Sequence, residues 1–189
     1  MRCSITPNSG WMFKPVSRLV FISMRNGLIA GLLGFVFLIA LYYLGRHPFL
    51  FPVFFDFRLI MFSVFMVIGL KELRDDHQQG LLSFGQGMVS NLLFTILFAI
   101  TASGLIWIFM ILDPNFLTAY IQVATEQIKA VPAEVIEQVG KAEVERNILA
   151  LQGTNRGDLA LDYLIKSFII SFFISIIISV ILRRQPKTN

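Results

Sequence analysis

Long apolar runs separated by short polar stretches dominate this chain of 189 residues. A helix needs about 20 predominantly apolar residues to cross the hydrocarbon core of a bilayer, which is ~30 Å thick. Three runs meet that length cleanly, and a fourth is interrupted by Asp56 and Arg58. The pattern therefore predicts an all-α membrane protein with four transmembrane helices, at about residues 27–45, 52–70, 86–112 and 163–182.

These spans are expected to form a single membrane domain from residue 26 to residue 184. Residues 1–25 are predicted to be a disordered cytoplasmic extension, because Pro, Asn, Ser and Gly are frequent at its start. Residues 185–189 are predicted to be a cytoplasmic tail. Met24 opens directly into the first run, so Met1 and Met24 both stand as candidate translation starts. The first run is longer than the apolar region of a secretory signal, and we expect it to stay in the protein.

The distribution of basic residues predicts the orientation of the spans. Lys and Arg are enriched in cytoplasmic segments close to the membrane. Such residues precede the first run without any acid, follow the last run, and occur as Lys71 and Arg74 between the second and third runs. We therefore expect a protein of the inner membrane with both termini in the cytoplasm and with residues 113–162 in the periplasm.

The segment between the third and fourth runs has the pattern of two amphipathic helices. Asp113 and Pro114 suit the cap and the first turn of the first helix, and apolar residues then recur every three or four positions. Pro132 predicts the start of the second helix, and Gly153 predicts its end. Such a pair could lie on the membrane surface, cover the end of the bundle or bind a partner, and these alternatives stay open.

Small and polar residues inside the predicted spans recur at four-residue spacing, which places them on one helix face. Gly27 and Gly31 have this spacing and predict close packing against a neighbouring span. Asn91 is expected to form a hydrogen bond across to another helix. The last span has four serines on one face: Ser167, Ser171, Ser175 and Ser179. We interpret them as a packing seam, and a hydrophilic conduit is the alternative for the serines and for Asn91.

Asp56 and Arg58 lie near the predicted start of the second span, where long side chains can reach the membrane interface. Residues two positions apart do not face each other on a helix. We therefore expect each of them to find its partner elsewhere, with Arg46 as the candidate for Asp56. The alternative is that the two charges line a polar cavity.

The loop between the second and third spans has more pattern than crossing a membrane requires. Lys71 and Arg74 are three positions apart, and we expect them to share a face that contacts anionic lipid headgroups or an acidic partner. Gly80 is predicted to supply the turn of the hairpin. Ser83 and Gln86 have the spacing of a capping box at the start of the third helix. The alternative is that the two charges only fix the orientation.

This hairpin resembles a family catalogued as domain of unknown function 4199, which comprises small multipass inner-membrane proteins found mainly in Bacteroidota. In that family a span ends in Gly-x-Lys, and x-x-Arg-Asp, Gly and an aliphatic-Ser/Thr-Phe sequence follow before the next span. The residues that fit are Gly69, Lys71, Arg74, Asp75, Gly80, Ser83, Phe84 and Gly87. The resemblance extends from about residue 27 to residue 184, and it implies the fold and the location but no activity. The N-terminal extension and the Asp56/Arg58 pair depart from it.

Composition narrows the classes of function. The chain is 56% hydrophobic and 15% charged, whereas a soluble domain has about 45–50% and about 25%. It has no clustered basic face for nucleic acid, and its single cysteine excludes an internal disulfide. We find no pattern of catalytic, cofactor-binding or metal-binding residues, so we expect neither an enzyme nor a cofactor.

Two classes of function remain. The first is a non-enzymatic accessory, assembly or lipid-contacting component of the membrane. The second is a subunit of a small oligomeric transporter. The expected partners are the lipid bilayer with its anionic headgroups, and a membrane-protein partner or further copies of the chain.

Overall fold

The computed structural model describes the backbone of residues 10–50 and 56–185, and the side chains from residue 17 onwards within those ranges. The described chain is all-α, as predicted. Its seven α-helices are α1 Gly10–Tyr43, α2 Phe57–Glu72, α3 Phe84–Leu112, α4 Asn115–Lys129, α5 Ala133–Val139, α6 Lys141–Gln152 and α7 Arg156–Leu182. A short 3₁₀ helix, Pro48–Leu50, precedes α2, and a π-helical turn, Leu73–His77, follows it.

Three of these helices are long and apolar enough to cross a membrane: Ser17–Tyr43 within α1, Phe84–Leu112 and Arg156–Leu182. Helix α2 has 16 residues, fewer than the ~20 that a bilayer core requires. The predicted start of the second span at residue 52 lies outside the described residues. Length and composition therefore identify three spanning helices in the described part of the chain, and not the fourth.

The first helix begins well before the predicted span. Residues 10–25 are helical, so the expectation of disorder is wrong for them, whereas residues 1–9 lie outside the described part of the chain. The reason is that Leu19 and Ile22, three positions apart, are both buried in the bundle, and this burial stabilises the helix below residue 27. Helix α7 also begins before the predicted residue 163.

The segment after α3 forms three helices instead of the two predicted. The break lies at Gly140, whose φ of 95° ends α5 and precedes α6. Glycine adopts this left-handed backbone conformation without a steric penalty. The expectation was wrong because the helical pattern of apolar residues continues across this glycine.

Helices α1, α2, α3 and α7 form the bundle, in which α3 packs against α1 and α7, and α2 packs against α1 and α7. Close contact of α1 with α3 depends on the predicted glycines. A Cβ added at Gly27 would lie 2.5 Å from the carbonyl oxygen of Phe94, and one at Gly31 would lie 2.9 Å from Cβ of Thr101. Small residues at these positions therefore let the two backbones approach each other.

Candidate functional site

Basic side chains from separate parts of the chain meet at one end of the bundle, which we call the basic end. Its residues are Arg18, Arg25, Lys71, Arg74, Arg183 and Arg184. Arg25 Nη2 donates to Glu72 Oε2 over 2.5 Å, which joins α1 to the end of α2. Arg18 Nη1 donates to His77 Nδ1 over 3.0 Å. These bonds place the part of α1 around Arg18 and Arg25 beside the end of α2.

The end of α7 is tied to the same place by a backbone bridge. The Leu82 amide donates to the Arg184 carbonyl, and the Arg184 amide donates to the Leu82 carbonyl, both over 2.9 Å. Leu82 is fully buried, so the bridge is anchored by a packed side chain. Because Leu82 lies two residues before the start of α3 and Arg184 two residues after the end of α7, the bridge brings the Arg183–Arg184 pair next to the hairpin.

Arg74 is buried and already has a carboxylate partner. Its Nε donates to Asp75 Oδ1 over 2.6 Å, and its Nη2 donates to Asp75 Oδ2 over 2.9 Å. These hydrogen bonds hold the pKa of Asp75 below its usual value, and the charges of Arg184 and Lys71 lower it further. The Asp75 carboxylate is therefore paired with Arg74 and is close enough to Lys71 and Arg184 to be influenced by their charges.

The expectation that Lys71 and Arg74 share an exposed face is wrong. Lys71 is exposed, whereas only 11% of the Arg74 side chain is. The reason is the π-helical turn Leu73–His77, because its wider winding turns Arg74 inwards instead of continuing the α-helical face. The other five cations of this group are exposed. Two of them are already hydrogen-bonded through their side chains, Arg18 to His77 and Arg25 to Glu72, which leaves Lys71, Arg183 and Arg184 as the outward-facing cations without such a bond in the described part of the chain.

The hairpin that presents these cations has the predicted turn and cap. Gly80 has a φ of 79°, and its amide donates to the Arg74 carbonyl over 2.8 Å. Ser83 Oγ accepts from the Gln86 amide over 3.2 Å, and the Ser83 amide donates to Gln86 Oε1 over 3.1 Å. Both hydrogen bonds of the capping box are therefore present.

The serine stripe of α7 lies in the interior of the bundle. None of its four side chains is more than 4% exposed. Each serine has a partner on a neighbouring helix: Arg58 for Ser167, Thr95 for Ser171, Met88 for Ser175 and Asn91 for Ser179. The stripe thus forms a polar packing seam, mainly with α3, and Asn91 makes a hydrogen bond across helices.

Asp56 and Arg58 bond to each other, so the expectation that they do not is wrong. Asp56 is the N-cap of α2 and has an extended backbone, so the rule for residues within a helix does not apply to it. Its carboxylate accepts from the backbone amide of Arg58 and from the guanidinium. Both side chains are nearly buried. The carboxylate and the guanidinium therefore compensate each other's charge at a place that water does not reach.

Arg58 also connects α2 to α7. Its Nη1 donates to the Tyr163 carbonyl over 3.3 Å and to Ser167 Oγ over 3.1 Å. Its guanidinium carbon lies 4.6 Å from the centre of the Tyr163 ring, a distance typical of a cation–π contact. The sequence showed two charges in an apolar run. It could not show that α2 begins at this pair, or that α7 passes within hydrogen-bonding distance of Arg58.

The opposite end of the bundle has an aromatic cluster around His47. Its Nε2 donates to the Phe116 carbonyl over 3.1 Å, and its ring contacts those of Tyr42, Phe49 and Tyr120. Burial lowers the pKa of His47, so the neutral imidazole is favoured. These contacts attach the 113–162 segment to the bundle at the end farthest from the basic end.

No curated protein and no solved structure matches the chain. Within the described residues, no group of three or more His, Cys, Asp or Glu is placed to hold a metal ion. The family profile described as "Protein of unknown function (DUF4199)" matches residues 25–184, which include the hairpin, the serine stripe and the Asp56/Arg58 pair. The resemblance found in the hairpin is therefore confirmed, and the chain belongs to the DUF4199 family of proteins of unknown function.

Proposed function

We propose that this protein is a non-enzymatic accessory or assembly component of the bacterial inner membrane that holds anionic lipid headgroups at its basic end. The observation that carries the proposal is the convergence of basic side chains from α1, the hairpin and the end of α7. Glu72, Asp75 and Asp76 are the acids beside them, and the cations outnumber these acids. An excess of positive charge at one end of a membrane bundle attracts anionic headgroups.

The proposed orientation has four crossings, with both termini in the cytoplasm. Helix α2 is short, but contacts at its two ends support a crossing: Glu72 pairs with Arg25 at the basic end, and Arg58 bonds to Tyr163 near the start of α7. Residues 113–162 then lie in the periplasm, attached to the bundle by the aromatic cluster. The rule that cytoplasmic segments are enriched in Lys and Arg supports this orientation.

The cations proposed to contact headgroups are Lys71, Arg183 and Arg184. Each basic residue near the surface of an anionic leaflet contributes about 1 kcal/mol. Arg74, which the sequence suggested as a contact, has a different proposed role. It neutralises Asp75, so that this carboxylate does not repel an approaching phosphate.

The test is the amount of anionic lipid that stays with the purified protein. Lys71→Gln together with Arg184→Gln should lower the ratio of anionic to zwitterionic lipid measured by mass spectrometry. Lys129→Gln together with Lys141→Gln is the matched control, because it removes the same charge from exposed positions of the 113–162 segment. Equal ratios in both variants and the parent protein would contradict the proposal.

A transporter subunit is the second candidate function, and one observation favours it. Buried polar side chains follow the bundle from the Ser23–Ser90 hydrogen bond of 2.7 Å, past Asn91, to Arg58. The serines on this line bond to partners on neighbouring helices, which supports packing more than conduction. Recovery of the tagged protein from native membranes separates the two: a stoichiometric partner favours the accessory role, and a homo-oligomer alone favours transport.

A further inference from the structure

An apolar groove lies between α3 and α7 on the outer surface of the bundle. Its volume is about 190 Å³, with Val89 and Leu92 on one wall and Phe172 on the other. These three side chains are 52%, 52% and 56% exposed, so the groove opens sideways to the membrane. Thr95 and Ser171 also line it, and their hydroxyls bond to each other. The groove therefore presents an apolar surface without unpaired hydroxyls at these two positions.

The groove lies on the half of α3 that is nearer to the basic end. Met88 and Thr95 mark its extent on α3, at ~6 Å and ~17 Å from the start of the helix at 1.5 Å per residue. Half of a hydrocarbon core is ~15 Å thick, so the groove lies at the depth of the inner-leaflet acyl chains. One turn before Met88 on α3, Gly85 has no atom within 4 Å of an added Cβ, so this side of the helix is open between the groove and the start of α3.

We propose that this groove binds an acyl chain of an anionic phospholipid whose phosphate lies against Arg183 and Arg184. The proposal rests on the proposed function and adds a position for one bound lipid. The charge of the basic pair complements the phosphate, and the half-exposed apolar walls match an acyl chain. Met88 gives the wall adaptability because its unbranched side chain fits irregular surfaces.

A second copy of the chain fits the groove less well than a lipid. Close contact between membrane helices requires small residues at the interface, whereas Leu92 and Phe172 project from the groove walls. A symmetric dimer through this face would also bring two Arg183–Arg184 pairs together on the same side of the membrane, and like charges at an interface oppose association.

Quenching of tryptophan fluorescence by brominated lipid tests the proposal. The two native tryptophans are first replaced by Trp11→Phe and Trp107→Phe. Phe172→Trp then reports on the groove, and Phe173→Trp is the matched control, since Phe173 is 62% exposed, adjacent in sequence and not part of the lining. Each variant is reconstituted in phosphatidylcholine bilayers with a minor fraction of phosphatidylglycerol, and bromine is placed mid-chain on one lipid or the other.

The expected result is stronger quenching of the Phe172→Trp variant than of the Phe173→Trp variant by brominated phosphatidylglycerol. Brominated phosphatidylcholine should quench the Phe172→Trp variant no more than the Phe173→Trp variant, because phosphatidylglycerol displaces it from the groove. Adding Arg183→Gln or Arg184→Gln should lower the relative affinity at the groove about fivefold for each basic residue removed.

Four results would overturn the inference. Equal quenching of both variants by both probes would mean contact with bulk lipid only. Excess quenching at the groove by both probes would mean that it does not select anionic lipid. A selectivity unchanged by the arginine substitutions would mean that Arg183 and Arg184 do not hold the phosphate. Weak quenching at the groove with cross-linking between two copies would assign it to a dimer. If any of these occurred while Lys71→Gln with Arg184→Gln still lowered the co-purified anionic lipid, the proposed function would stand without the groove.

Discussion

At the scale of single residues, charge inside the bundle is tolerated because each buried arginine bonds to the carboxylate of a residue close to it in sequence. Arg58 is 7% exposed, and it bonds to the Asp56 carboxylate, a backbone carbonyl and Ser167 Oγ. A buried ion removed from its partner is costly because no water replaces the lost interaction. The pair therefore holds the start of α2 against α7 only while both members are present.

The Asp56/Arg58 pair gives a stability prediction. Asp56→Asn should destabilise the protein by about 3 kcal/mol or more, because it leaves Arg58 buried without its carboxylate. Asp162→Asn is the control, since Asp162 pairs with Lys166 at 40% and 47% exposure, where an ion pair is worth about 0–1 kcal/mol. Thermal unfolding in detergent measures both. Equal losses for the two substitutions would show that burial of the pair does not matter.

At the scale of helices, the features that could be predicted from the sequence are those set by local pattern. The four-residue spacing of Gly27 and Gly31 implied a close helix contact, because spacing alone determines which residues share a face. The Ser83–Gln86 cap was equally local. The inward turn of Arg74 and the break at Gly140 were not predicted, because each depends on a backbone conformation that the apolar pattern does not specify.

Pairings between distant segments could not be predicted from the sequence for another reason. The Leu82–Arg184 bridge joins the hairpin before α3 to the end of α7, and no periodicity links the two residues. The same holds for the groove between α3 and α7, whose walls come from two helices separated by the whole 113–162 segment. The basic residues could be listed from the sequence, but their convergence at one end of the bundle required the fold.

The serine seam gives a prediction at this scale. Ser171→Leu with Ser175→Leu should lower the unfolding temperature in detergent strongly, because larger side chains would force α7 away from α3. Ser171→Ala with Ser175→Ala should have a small effect, since the small size is retained and a hydrogen bond between membrane helices is worth about 0.6 kcal/mol on average. If the alanine and leucine variants were equally damaged, the hydroxyl groups and not the close packing would hold the seam.

At the scale of the whole molecule, the two ends of the bundle are chemically different. One end has the cations of α1, the hairpin and the end of α7, and the other has the aromatic cluster around His47. This polarity relates three observations: the excess of positive charge, the attachment of the 113–162 segment at the aromatic end, and the buried Asp56/Arg58 pair near the start of α7. All three follow if the basic end faces the cytoplasm and α2 completes a fourth crossing.

Reporter fusions that are active on only one side of the membrane test this central claim most directly. Reporters are attached after Asn189, inserted near Gly153, and fused after Gly80 in a chain truncated there. The account predicts cytoplasmic signals at Asn189 and Gly80 and a periplasmic signal at Gly153. A periplasmic signal at Asn189, or signals from Asn189 and Gly153 on the same side, would contradict it.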